Sequence, residues 1–227
     1  MHRSAISVYH DLVDGARIGA HPTIVSIMSG IKNLRPVKSR YHVIWDVQKV
    51  LNYIKTLGEP SSMSLKTLLL KTAMLLSLVM VSRVSEINLL ETSSMCIPKE
   101  GNKIVFFHNN DERAKTESNS LVPLSLEIFA FEEDTSLCPV DMLNNYLSRT
   151  KELRGPHTPL LVKTVKPYSP VKRSTIANWE QVLANCGVDI SVFKAHSTRS
   201  AATSGAKVKG ATIKDILSRG NWSNKYT

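Results

Sequence analysis

Apolar residues recur at helical spacing through most of the chain. Val47, Val50, Leu51 and Ile54 fall at i, i+3, i+4 and i+7, with Asp46 placed to start a helix and Gly58 and Pro60 to stop it. Residues 65–81 are apolar almost all round, which predicts a helix buried at the centre of a core. Ser82 is the expected N-cap of the next helix, which carries Ile87 and Leu90 inward. Then the period shortens. Ile104-Val105-Phe106-Phe107 and Leu121-Val122-Pro123-Leu124 read as two strands. The polar loop over 108–120 is longer than hairpin connections usually are, which favours a functional loop. Pro139 opens another helix, with Met142, Leu143, Tyr146 and Leu147 on one face. Ser174 is expected to cap one that runs through Ile176, Val182 and Leu183 to Gly187. A further helix begins near Ser197. The last runs from Thr212 to Arg219, with Thr212 and Asp215 as a capping pair and Gly220 as the stop. The expected fold class is mainly α with a small antiparallel β-sheet.

Ahead of this pattern, residues 4–13 and 23–31 are two short helical candidates. Leu34-Arg35-Pro36-Val37-Lys38-Ser39-Arg40 joins a proline to three cations and reads as an exposed linker. Two short helices are too little to fold alone, so residues 1–40 are expected to be the tail of an N-terminal domain.

Composition narrows the partners. Of 227 residues, 42% are hydrophobic and 21% charged, enough apolar residues to bury a core. The 29 basic and 19 acidic residues leave a net charge of +10, which suits a polyanion, either nucleic acid or an acidic membrane surface. A soluble basic protein with no special partner would show the same balance. Cys96, Cys138 and Cys186 are odd in number and far apart, so neither a zinc site nor a disulfide framework is expected and a reducing compartment fits. The first residues show no signal-peptide pattern. Lys71 interrupts the most apolar stretch and leaves ten uncharged residues from Thr72 to Val81, too few to span a bilayer.

Three local patterns carry possible chemistry. Arg83-Val84-Ser85-Glu86 stands at a helix start after the core helix. His196-Ser197-Thr198-Arg199 sets His and Arg three residues apart on one helical face. Asn221-Trp222-Ser223-Asn224 follows the glycine-stopped helix. Each alone has an ordinary structural explanation: an arginine at a helix start is usually a solvated cation, and a lone tryptophan is usually core. In order and spacing, together they resemble the tyrosine recombinases, the phage-integrase family. That family has Arg-x-[Ser/Ala]-Glu after a buried helix, then a hairpin lysine, His-x-x-Arg, a His or Trp, and the tyrosine. Trp222 stands 26 residues after His196, as the family's His or Trp does after its first His. Lys115 stands seven residues before Val122 of Val-Pro-Leu, as the family's hairpin lysine does. The resemblance runs from Tyr41 to Thr227. The wording Phe193-Lys194-Ala195-His196-Ser197-Thr198-Arg199-Ser200 and Gly220-Asn221-Trp222-Ser223 is similar to recombinases of eukaryotic DIRS-like or Crypton-type mobile elements.

The resemblance implies the fold of DNA breaking–rejoining catalytic domains over residues 41–227, incomplete at its C-terminus. It implies that residues 1–40 are the remnant of a helical, SAM-like core-binding domain plus linker. It also implies double-stranded DNA as partner, a homo-oligomer on DNA, no membrane partner and, from its eukaryotic character, the nucleus. The chemistry agrees. Breaking a phosphodiester builds negative charge on the non-bridging oxygens, which two guanidinium groups hold by bidentate, charge-assisted hydrogen bonds. Arg83 and Arg199 fit that part. Lys115 is the candidate acid that protonates the departing 5′ oxygen. His196 would accept the nucleophile's proton or hydrogen-bond the phosphate, and the Trp222 indole N–H is a donor to a phosphate oxygen. Glu86 is expected to orient Arg83 or His196. No metal or nucleotide cofactor is expected, because the arginines supply positive charge and a 3′-phosphotyrosine conserves the bond energy. Lys99 and Lys103 are weaker candidates for the acid. Lys38, Arg40, Lys172 and Arg173 are DNA-backbone candidates, and Arg113 and Lys163 to Lys172 are expected to contact DNA backbone or solvent rather than take part in chemistry. Trp45 and Trp179 are expected in the core, and His108 and His157 in solvent.

The family's tyrosine follows the His or Trp by nine or ten residues, whereas Tyr226 is four after Trp222 and Thr227 five. Tyr226 is therefore a doubtful nucleophile. Tyr9, Tyr41, Tyr53, Tyr146 and Tyr168 match no family position. Two other readings remain at this point: a non-catalytic DNA-binding protein descended from such an enzyme, and a type IB topoisomerase. The chain of 227 residues is expected to bind DNA without cleaving it. Incubation with nicked duplexes should leave no covalent protein–DNA adduct on a denaturing gel; an adduct abolished by Tyr226→Phe would overturn this.

Overall fold

A computed structural model describes residues 2–36, 43–107 and 125–220. The chain divides into two compact units, Met1–Val43 and Ile44–Thr227. In the first, helix α1 (His2–Tyr9) and helix α2 (Pro22–Leu34) flank a short 3-10 turn at Ile18–Ala20. Pro22 stands in the first turn of α2, where its missing N–H costs nothing. The buried Gly19 donates its N–H to Ser7 Oγ at 3.1 Å.

The second unit is built round one helix. Helix α3 (Val47–Thr56) begins as expected, with Asp46 accepting from the Gln48 amide, and buries Val50 and Ile54. Helix α4 (Leu65–Met80) starts at Ser64, whose hydroxyl accepts from the Thr67 amide. It buries residues on every side, Leu68, Leu69, Ala73, Met74, Leu75, Leu76 and Met80 among them. Such a helix must be wrapped by others. The short helix α5 (Val84–Ile87), helix α6 (Pro139–Thr150), helix α8 (Glu180–Asn185) and helix α9 (Ser197–Val208) pack against it. Gly205 brings α9 close to α3; a Cβ there would lie 3.2 Å from Val47 Cγ2. Helix α10 (Ile213–Arg219) packs on α9 and is capped by Thr212, which accepts from the Asp215 amide.

Strands β1 (Met95–Cys96), β2 (Lys103–Phe107) and β3 (Ser125–Phe129) form an antiparallel sheet in that order, with Lys103 opposite Phe129 and Phe107 opposite Ser125. The mainly helical fold with a small antiparallel sheet is as expected. Three details differ. Ser82 does not cap α5: Val81 ends α4 in the left-handed conformation (φ 52°), and Arg83, extended at φ −78° and ψ 155°, takes the cap position. Ser174 lies inside the short helix α7 (Arg173–Ile176), because the Lys172 carbonyl receives the Thr175 and Ile176 amides. The helix expected to continue to Gly187 tightens into a 3-10 turn at Ala177–Trp179, which buries the Trp179 indole, and resumes as α8. Of the strands, 104–107 is part of β2; 121–124 lies outside the described residues, and its neighbour β3 was not foreseen.

Lys71 is a charged group in the core with no carboxylate at contact distance among the described residues. Lys71, in the middle of α4, is fully buried, and its Nζ has no hydrogen-bond partner among the described residues. Burial lowers its pKa from 10.5, while the Glu59 and Asp134 carboxylates pull it back up. A folded-state pKa below the unfolded value means the folded protein binds fewer protons, so wild-type stability rises with pH up to the ordinary lysine range. Lys71→Met is therefore expected to stabilise the protein by about 1–4 kcal/mol at neutral pH. That advantage should shrink as pH approaches about 10, read from urea unfolding of both proteins; a gap that widens with pH would refute it.

Candidate functional site

The corner after α4 builds the site. A β-branched residue at positive φ costs about 1–3 kcal/mol and persists only where surroundings enforce it. Here Val81 N–H and Ser82 N–H both bond the Ser77 carbonyl and close the corner. Arg83 follows at once. Its backbone N–H donates to Glu86 Oε2 at 2.8 Å, and its Nη1 donates to Glu86 Oε1 at 2.6 Å. The second arginine comes from α9. Arg199 Nη1 lies 3.6 Å from Glu86 Oε2, and its Nη2 donates to the Gly220 carbonyl. One carboxylate thus bridges two guanidinium groups that arrive from elements more than a hundred residues apart.

The two cations are unequal. The Arg83 side chain is 49% exposed and Arg199 only 9%. Burial depresses the Arg199 pKa first, repulsion from Arg83 adds to it, and Glu86 opposes both. The two charges are near because both guanidinium groups reach the same Glu86 carboxylate, at 2.6 and 3.6 Å. An anion between them would relieve the repulsion, because Glu86 supplies one negative charge for two positive ones.

The start of α9 is held from two sides. Trp45 Nε1 donates to Ser197 Oγ at 2.9 Å, and the Ala195 amide donates to Glu180 Oε1 at 2.7 Å. His196, exposed, stands at the N-cap position three residues before Arg199. Lys172 and Arg173 are exposed at the start of α7, which packs beside α5. Lys103 is occupied structurally: its Nζ bonds Glu127 Oε1 at 2.8 Å across β2 and β3. Lys99 is exposed, Trp45 and Trp179 are core residues as expected, and His157 is half-buried. Lys38, Arg40, His108, Arg113, Lys115, Trp222 and Tyr226 lie outside the described residues.

The structure therefore brings together Arg83, Glu86 and Arg199, with His196 one helical turn from Arg199. Sequence reasoning paired Glu86 with Arg83 or His196 and missed its contact with Arg199. It also missed Trp45 as a donor, since nothing local links residues 45 and 197. Among the described residues no group of three or more His, Cys, Asp or Glu could hold a metal ion, and no helix is long and apolar enough to cross a membrane.

No family model matches the chain, and no curated protein matches it. Solved structures do. XerA recombinase matches with a TM-score of 0.55 at 15% identity, covering 96% of this chain and 71% of that one. A lambda integrase tetramer bound to a Holliday junction matches at 0.51 and 16%, covering 100% of this chain and 54% of that one. A lambda integrase dimer bound to a core site matches at 0.51 and 17%, with 99% and 55% covered. This chain has the recombinase catalytic-domain fold. It spans about half the length of the lambda integrase chains.

Replacing Glu86 by Gln keeps an acceptor for the Arg83 amide and removes the charge between the arginines. Glu86→Gln should cost about 1 kcal/mol at low salt, discounted because Glu86 and Arg83 are partly exposed. The cost should shrink as salt screens the repulsion. Chemical denaturation at two ionic strengths measures both, and an unchanged midpoint at low salt would remove the carboxylate from this role.

Proposed function

We propose that this chain is the DNA-binding catalytic domain of a site-specific tyrosine recombinase, a DNA strand-transferase that cuts and rejoins DNA through a 3′-phosphotyrosine. The observation that carries the reading is the Arg83–Glu86–Arg199 cluster on a recombinase fold. Two cations sharing one carboxylate leave a net positive site, and its partly open side is Arg83. A DNA phosphate bound there would receive bidentate donors on its non-bridging oxygens, with the charge of the five-coordinate transition state matched by guanidinium groups held in advance. The net charge of +10 supports a polyanionic partner.

The remaining roles follow the resemblance and the chemistry of each side chain. The tyrosine oxygen attacks phosphorus and the bond to the 5′ oxygen breaks. Lys115 gives that oxygen its proton, and His196 takes the proton of the tyrosine or donates to the phosphate. Trp222 donates its indole N–H to a phosphate oxygen. No tyrosine in this sequence stands at the family's nucleophile position, and Tyr226 is not assigned that role. Lys172 and Arg173, exposed beside α5, would contact backbone phosphates, as would Lys38 and Arg40. Residues 41–227 serve as the catalytic domain, with residues 1–40 as the end of a core-binding domain and its linker. The wording around His196 and Trp222 favours a mobile element of DIRS-like or Crypton type. DNA integration by such an element would place the protein in the nucleus, as a homo-oligomer on DNA.

Binding to a duplex should weaken steeply between about 50 and 200 mM salt. Arg83→Ala, chosen because its side chain is half-exposed and carries little of the fold, should lower affinity about tenfold and reduce the salt slope by about one. Fluorescence anisotropy with a labelled duplex reads both. Salt-independent binding, or an unaltered Arg83→Ala protein, would sink the DNA-phosphate reading.

A further inference from the structure

Where α4 ends, the Val79 carbonyl is among those that lose their helical partner. In an unbroken helix the Val79 carbonyl would accept from the amide four residues on, that of Arg83. That amide is committed elsewhere, to Glu86 Oε2 at 2.8 Å. The Val79 carbonyl is instead filled by Arg219, whose Nε donates to it at 3.0 Å from the last residue of α10. Arg219 thus supplies the donor that the Arg83 amide, turned away by the left-handed Val81, does not. A cation is also well matched to the negative end of the α4 dipole.

The surroundings give this contact its reach. Arg219 is half-buried: burial lowers its pKa and the Glu127 carboxylate on β3 raises it. The next residue, Gly220, accepts from Arg199 Nη2. Adjacent residues therefore tie into the two arginines by separate routes, residue 219 through the Arg83 corner and residue 220 through α9. Both contacts hold the C-terminal end of α10.

We propose that Arg219 is a positioning residue for the arginine pair, holding the Val81–Arg83 corner and the exit from α10 in register by capping the end of α4. Its consequence for DNA rests on reading that pair as a phosphate site. Arg219 acts through Arg83 and does not itself bind phosphate.

The test is a double-mutant cycle on duplex affinity with Arg219→Met and Arg83→Ala, joined to amide hydrogen exchange of the DNA-free proteins. Arg219→Met should weaken binding roughly five- to tenfold in the wild-type background and little in the Arg83→Ala background. In the absence of DNA it should speed exchange at residues 81–83 while α6 stays protected. If Arg219→Met proves too unstable, Arg219→Lys, which keeps a cation and a donor, should show a smaller loss with the same coupling. Additive losses would make Arg219 an independent DNA contact and overturn the proposal, as would unchanged exchange at the corner. If exchange responds while Arg83→Ala leaves DNA binding intact, the positioning role stands and the phosphate reading fails.

Discussion

Helix α4 has no face to give to solvent, and that constraint organises the second unit. Burying an apolar side chain contributes about 1.5–3 kcal/mol, and α4 offers such side chains round its whole circumference. Neighbours must therefore come from every direction, and they do, from α5 directly after it to α9 far along the chain. The placement of the two arginines is a by-product of that wrapping. Arg83 emerges at the C-terminal end of α4 and Arg199 from a helix laid against it, so the geometry of the pair is set by packing rather than by the weak attraction of surface ions.

A pair of like charges held close is costly unless something stands between them, and here Glu86 does. It neutralises the pair only halfway, which is the condition an anion-binding site needs: full neutralisation would leave nothing to attract phosphate, and none would push the arginines apart. Lys71 makes the contrast plain. It too is a buried cation, but its Nζ has no hydrogen-bond partner among the described residues, so it weighs on stability without building a site.

Much of this was legible in the sequence because it rests on local rules. Asp46, Pro139 and Thr212 start helices by chemistry that depends only on near neighbours. The all-apolar run of α4 announced a central helix, and the order of the motifs that carry Arg83 and Arg199 raised the expectation of one site. What escaped notice depends on residues far apart. Ser82 looked like a better cap than Arg83 until the left-handed Val81 and the Glu86 carboxylate are considered together. The turn at Ala177–Trp179 reflects how an indole fits the core, and Glu86 meets Arg199 only after α9 has docked. β3 was missed because its pairing is with β2, whose apolar residues are the clearer signal.

The hydrogen bond from Trp45 to Ser197 also bears on how the molecule is made. It joins the opening residues of the second unit to a helix that leaves the ribosome 152 positions later. Contacts of such sequence separation are slow to form, since the loop must close before any reward is gained. During synthesis α4 and its early neighbours can collapse while α9 is still untranslated, so a nascent or prematurely released chain would display Arg83 without Arg199. A half-built pair of this kind holds one guanidinium already neutralised by Glu86. Vectorial synthesis thus keeps Arg83 electrically quiet until α9 is in place.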